Sequence, residues 1–99
     1  MNEWPFDQAP NVAAITTRQV IKDGLPILNV VHYIDDDSWA FVCGTSNAIE
    51  DGRVIGMGEA LKLDPTLATI ADLPPGWCAQ RRAVGQPWAK KPNLDQNDA

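Results

Sequence analysis

The alternation of apolar and polar residues predicts two adjacent β-strands in the first half of the chain. Residues 27–34 are almost wholly apolar, which is typical of a strand in the middle of a sheet. A polar segment, 35–38, separates them from residues 39–43, which are apolar and end at a glycine. Side chains alternate between the two faces of a strand, so one face of this hairpin carries His32, Ile34, Trp39, Phe41 and Cys43.

The remaining segments predict three more strands and two short helices. The strands are 14–21, rich in β-branched residues, 53–56 and 77–83. Apolar spacing predicts a helix from Met57, and Asp64-Pro65 resembles an N-cap followed by proline in the first helical turn. Because the strands do not alternate with helices, we expect an α+β fold: an antiparallel sheet of four or five strands with one or two short helices on one face.

The chain has 99 residues, which is enough for one domain. Residues 1–12 contain two prolines, which predicts an irregular N-terminal arm. We expect Trp4 and Phe6 to pack this arm against the rest of the domain. Residues 13–88 form the predicted single α+β domain. Residues 89–99 are polar and predict a disordered tail.

The charge balance restricts the class of partner. Thirteen acidic residues against eight basic ones give a net charge of −5. This charge argues against nucleic acid or an anionic membrane as the main partner. The N-terminus has neither the basic region nor the apolar stretch of a secretory signal, so we expect a cytoplasmic protein. Cys43 and Cys78 should then be reduced thiols, and we expect both to be buried.

Several enzyme hypotheses follow from the few reactive residues. Cys43 and His32 share a predicted face, so they could form a nucleophile–base pair. A small hydrolase or metal-dependent enzyme could also use His32, Cys43 or the cluster Asp35–Asp37. However, the spacing of a calcium loop and the usual catalytic motifs are missing from the sequence. We therefore expect no catalytic residue, no metal site and no cofactor.

The acidic segment favours a binding function. Asp35, Asp36 and Asp37 stand beside Trp39, and an aromatic residue next to concentrated charge is typical of an interface. We predict that these four residues contact a partner protein. Because the aspartates are negatively charged, we expect that partner to be basic. Two alternatives remain open at this point: the aspartates could serve only solubility, and Trp39 could belong to the core.

Several segments together resemble the bacterial immunity-protein family 33-like domain, formerly a domain family of unknown function. The matching segments are Pro26 to His32 with the acidic loop, Trp39 to Gly44, Asp64 to Leu67, Ala71 to Trp77 and Arg81 to Trp88. The resemblance spans roughly residues 14–88 as a pattern of turns, tryptophans and a helix cap. It implies a small α+β domain and carries over no catalytic residue. Since some family members are predicted to neutralise toxins, it also implies a toxin as the basic partner.

Overall fold

The computed structural model of the protein describes residues 4–6, 8–44 and 49–92. The described residues form six strands, two α-helices and two 3-10 helices. In chain order these are β1 (Ala13–Thr17), α1 (Arg18–Ile21), β2 (Asn29–His32), β3 (Trp39–Val42), a 3-10 helix (Ile49–Asp51), β4 (Gly52–Gly56), α2 (Met57–Leu63), a second 3-10 helix (Pro65–Ile70), β5 (Trp77–Gln80) and β6 (Ala89–Pro92).

The six described strands form one mixed sheet in the order β4-β1-β3-β2-β5-β6. The α+β class is the predicted one, but the prediction of a purely antiparallel sheet with four or five strands was wrong. β1 and β3 are parallel, whereas every other neighbouring pair is antiparallel. The parallel pair arises because the chain leaves β1, passes beyond the position of β3 to form β2, and returns through the hairpin to fill the gap.

The β2–β3 hairpin confirms the predicted alternation. Its register pairs His32 with Trp39 and Val30 with Phe41. The His32, Trp39 and Phe41 side chains are buried on one face, and the His32 and Trp39 rings stack with centroids 4.0 Å apart. Ile34, which the same alternation placed on this face, lies beyond the strand and is half exposed.

The first predicted strand is shorter than expected and ends in a helical turn. β1 stops at Thr17, and the Lys22 N–H then donates to the Arg18 carbonyl at 2.8 Å to close α1. This turn brings Val20 into the core. The β-branched residues of this segment favour a strand locally, but burial of Val20 decides the conformation.

A strand occupies the segment where a polar tail was predicted to begin. Ala89–Pro92 pairs antiparallel with β5 as β6, and all four of its residues are exposed. Lysine and proline are common on edge strands because they discourage further pairing. The rest of the predicted tail, residues 93–99, lies outside the described residues.

The core lies between one face of the sheet and the short helices. It combines sheet residues with apolar residues of α2 and the second 3-10 helix, among them Val30, Phe41, Met57, Leu67 and Ile70. Asp64 caps that 3-10 helix as predicted, since its carboxylate accepts from the Thr66 N–H at 3.0 Å. Phe6 is buried against Trp39 at 5.0 Å, so the N-terminal arm is pinned to the body.

Candidate functional site

The loop between β2 and β3 presents three adjacent carboxylates at one end of the sheet. Asp35, Asp36 and Asp37 are all exposed. The Tyr33 N–H donates to the Ser38 carbonyl at 2.8 Å and closes the base of the loop. Asp37 adopts a positive φ of 63°, a left-handed conformation that aspartate tolerates better than most residues.

Ser38 fixes the middle carboxylate of this loop. The Ser38 hydroxyl and N–H donate to one oxygen of Asp36 at 2.6 and 3.1 Å. Hydrogen bonds of this kind stabilise the ionised form, and they lower the pKa of Asp36 below its ordinary value. Asp36 therefore stays charged under more acidic conditions than a carboxylate without such donors.

His32 joins the loop to the interior. The buried ring faces the Leu73 carbonyl through Nδ1 and an Asp37 carboxylate oxygen through Nε2, each at 2.7 Å. A carbonyl only accepts, so Nδ1 carries a proton. The second hydrogen bond joins Nε2 to one carboxylate oxygen of Asp37. Both ring nitrogens of His32 are therefore engaged.

Gln8 of the N-terminal arm completes the network. Its side-chain N–H groups donate to the Asp37 carbonyl at 2.9 Å and to the second Asp37 carboxylate oxygen at 2.8 Å. Its side-chain carbonyl accepts from the Trp39 ring N–H at 2.8 Å. Both carboxylate oxygens of Asp37 are thus held, and the loop is tied to the arm and to the sheet. Nothing in the sequence pattern marked Gln8, because it stands in an irregular segment.

A cleft of about 610 Å³ opens beside the loop. His32 and Asp37 line it, together with Asp72 and the rings of Pro5, Pro74 and Pro75. The Asp72 carboxylate is exposed and lies 3.2 Å from the Lys90 ammonium. The cleft therefore combines exposed carboxylates with apolar proline surfaces.

Trp39 does not belong to the exposed site. Its side chain is 1% exposed and packs against Phe6, His32 and Phe41. Of the four residues predicted to contact a partner, the three aspartates lie at the surface, whereas Trp39 is a core residue. It can influence the loop only indirectly, through its stacking on His32 and its hydrogen bond to Gln8.

The residues considered for catalysis do not come together. Cys43 lies four residues beyond Trp39, so it is about 13 Å along the strand from the position paired with His32. Cys78 pairs with Val31 and lies on the opposite face of the sheet from His32. Both cysteines are buried thiols. No group of three potential metal ligands occurs among the described residues.

Arg81 and Arg82, which follow β5, differ in burial. Arg82 is exposed, whereas Arg81 is buried and forms an ion pair with Asp64. The Arg81 guanidinium also donates to the Ile27 carbonyl and lies 4.2 Å from the centre of the Trp88 ring. This cluster joins β5 to the start of the second 3-10 helix and is structural.

Comparison with known proteins gave no match: no family model matches the chain, and neither does any curated protein or solved structure. Within the described residues, no helix is both long enough and apolar enough to cross a membrane.

Proposed function

We propose that this chain is a non-enzymatic protein-binding module of the bacterial cytoplasm, and that the loop Asp35–Asp37 engages a basic partner protein. The observation that carries the proposal is an exposed acidic loop in which hydrogen bonds hold two of the three carboxylates. Ser38 fixes Asp36, while His32 and Gln8 fix Asp37. A preorganised loop loses little conformational freedom on binding, so more of its interaction energy is available for affinity.

The charges of the loop favour a basic partner. Three neighbouring carboxylates on a chain of net charge −5 attract positive surfaces and accelerate encounter with them. In the adjacent cleft, the Asp37 carboxylate lies with that of Asp72, which is paired with Lys90, beside proline rings. Such a cleft suits a lysine or arginine side chain, which combines an apolar stem with a charged end.

The class of partner rests on the likeness described from the sequence. Several segments within roughly residues 14–88 resemble the immunity-protein family 33-like domain, some of whose members are predicted to neutralise toxins. We propose a basic toxin as the partner and its neutralisation as the role. This step is an analogy between families and carries less weight than the geometry of the loop.

The arrangement supports binding better than catalysis. Both ring nitrogens of His32 are engaged, by Leu73 and by Asp37, so neither is positioned to take a proton from a substrate. Cys43 is buried away from that ring. The described residues therefore offer no nucleophile–base pair for the hydrolase alternative.

The test removes the three charges while keeping the shape of the loop. The variant carries Asp35→Asn, Asp36→Asn and Asp37→Asn, and asparagine also tolerates the positive φ at position 37. The partner is first isolated by affinity capture from the native host. We expect the association rate with that partner to fall by about ten-fold or more at low salt, and the difference to shrink as salt screens the charges.

A matched control changes the net charge equally but elsewhere. Asp23→Asn, Glu50→Gln and Glu59→Gln together remove three exposed charges far along the chain from the loop, and this variant should associate at nearly the wild-type rate. Equal slowing of both variants would mean that overall charge, not the loop, attracts the partner. Recovery of no protein partner, together with turnover of a small molecule, would overturn the binding function.

A further inference from the structure

The two edges of the sheet differ in how well they are protected. The β6 edge carries Lys90, Lys91 and Pro92, which discourage pairing with another strand. The β4 edge has the sequence Gly-Arg-Val-Ile-Gly, with neither lysine nor proline. Val54, at its centre, is 71% exposed, the largest value among the exposed large apolar residues of the described chain.

The hydrogen-bond pattern shows which backbone groups of β4 face outward. The Met57 N–H donates to the Val12 carbonyl at 2.9 Å, and the register pairs Ile15 with Val54. Bonded and non-bonded pairs alternate along an antiparallel ladder. Arg53 and Ile55 therefore exchange hydrogen bonds with β1, whereas the N–H and C=O groups of Gly52, Val54 and Gly56 point to the open edge.

Side chains of the same segment cover the two ends of this edge. Arg53 donates to the Gly52 carbonyl at 2.8 Å, and the Gly56 N–H donates to the Glu59 carboxylate at 3.2 Å. Val54 lies midway between these two ends. Within the described part of the chain, no side chain forms a hydrogen bond with its N–H or C=O. The edge thus presents an open centre with a cation at one end and an anion at the other.

We propose that β4 pairs antiparallel with β4 of a second copy of this chain, about a two-fold axis at Val54. Val54 then lies opposite Val54 of the second copy, and each Gly52 lies opposite a Gly56. The same patch meets itself, as a closed two-fold interface requires. The valine pair exchanges two backbone hydrogen bonds, and each glycine pair exchanges two more.

Charge complementarity favours this occupant and this orientation. When the Gly56 N–H of one copy donates to the Gly52 carbonyl of the other, Glu59 is released from the Gly56 N–H, and Arg53 gives up its bond to Gly52 while it keeps the one to the Glu50 carbonyl. The antiparallel arrangement brings the Arg53 end of one strand to the Glu59 end of the other, twice by symmetry. A parallel arrangement would instead place Arg53 beside Arg53, where like charges repel.

The interface is small, and this sets the expected strength. Two five-residue strands bury far less than the 1,200–2,000 Å² of total area, roughly, that stable complexes bury. The pairing should therefore produce a weak dimer that forms at high protein concentration. Sedimentation equilibrium from about 10 µM to about 1 mM should show the average mass rising above that of the 10.8 kDa monomer.

The two-fold axis makes a specific prediction for charged residues at position 54. Val54→Lys or Val54→Glu alone places like charges opposite each other and should weaken the dimer about five-fold. An equimolar mixture of the two variants places opposite charges there and should restore association. The matched control is Val84→Lys and Val84→Glu at an exposed valine outside the strands, 55% exposed, where neither substitution should change the mass.

Three results would overturn the proposal: a wild-type protein that stays monomeric at about 1 mM, a dimer that is insensitive to charge at position 54, or a mixture that does not restore association. The last two would assign the dimer to another surface. Circular dichroism of each variant shows that it is folded, and restored association in the mixture shows that neither variant lost its edge through misfolding.

Discussion

Two pairs of side chains, Arg81–Asp64 and His32–Asp37, each join a turn to the sheet, but they differ in how far they are exposed to water. In the Arg81–Asp64 pair the side chains are 1% and 11% exposed. In the His32–Asp37 pair the ring is 5% exposed, but the carboxylate is 58% exposed. Both pairs join a nitrogen-containing side chain to an aspartate, but only the Arg81–Asp64 pair is buried on both sides.

The buried pair must satisfy all of its charge internally. Arg81 does so through Asp64, the Ile27 carbonyl and the Thr66 hydroxyl, and its guanidinium lies on the Trp88 ring. The His32 pair keeps only its ring inside, so Asp37 can exchange water for the cation of a partner. The difference indicates that the first cluster maintains the fold, whereas the second leaves an exposed carboxylate, as the proposed binding surface requires.

The largest effect should come from breaking the buried pair. Arg81→Leu leaves Asp64 as an uncompensated buried charge and removes the donors to the Ile27 carbonyl. We expect the free energy of unfolding to fall by about 3–5 kcal/mol. Urea denaturation followed by tryptophan fluorescence measures this loss.

The neighbouring arginine supplies the control for this experiment. Arg82→Leu changes the net charge in the same way at an exposed position and should shift stability by about 0.5 kcal/mol or less. Adding Asp64→Asn to Arg81→Leu should recover part of the loss, because the unpaired charge is removed. If Arg81→Leu lowers the free energy of unfolding by less than about 1 kcal/mol, the Arg81–Asp64 pair contributes no more than an exposed ion pair. The contrast with the His32–Asp37 pair would then be wrong.

A smaller effect, concentrated in the loop, should follow from His32→Phe. Phenylalanine keeps an aromatic ring against Trp39 but removes both hydrogen bonds of the histidine. The Leu73 carbonyl loses its donor, which costs about 1–3 kcal/mol of unfolding free energy. Because Asp37 also loses its tie to the interior, we expect hydrogen exchange of the loop amides at 34–38 to accelerate more than exchange in β5.

The adjacent substitution Tyr33→Phe serves as the control, because it leaves both contacts of the His32 ring in place. Loop exchange in that variant should match the wild type. If His32→Phe lowers global stability without changing loop exchange, then the ring is only a core residue, and the proposed preorganisation of the acidic loop is wrong.

The local parts of this structure could be predicted from the sequence, whereas the long-range parts could not. Alternation places His32, Trp39 and Phe41 on one face because the rule depends only on neighbouring residues. The parallel pairing of β1 with β3 depends on where β2 lies in space, and no local pattern encodes that. β6 was missed because an exposed edge strand rich in lysine has the composition of a solvated tail.

The candidate site divides in the same way. The acidic loop was evident from three consecutive aspartates, but the hydrogen bonds that hold it were not. They involve Gln8 in an irregular arm and the backbone carbonyl of Leu73, a group that every residue possesses. Trp39 was predicted to contact a partner because it stands beside the loop, with a core role as the alternative, and the structure shows the core role.

The smallest expected effect concerns the Asp36 carboxylate in the exposed acidic loop. Ser38→Ala removes the hydroxyl donor that contributes most to the lowered pKa of Asp36. A lowered pKa means that the ionised form stabilises the folded loop above the ordinary carboxyl range, and that this contribution is lost as pH falls through the lowered pKa. In Ser38→Ala the pKa of Asp36 should rise toward its ordinary value, so this contribution becomes smaller and less stability is lost on acidification. An NMR titration of the carboxyl carbons measures this shift, with Thr69→Ala, another exposed hydroxyl, as the control. An unchanged titration of Asp36 in Ser38→Ala would show that the loop is not organised by this serine and that His32 and Gln8 alone hold it.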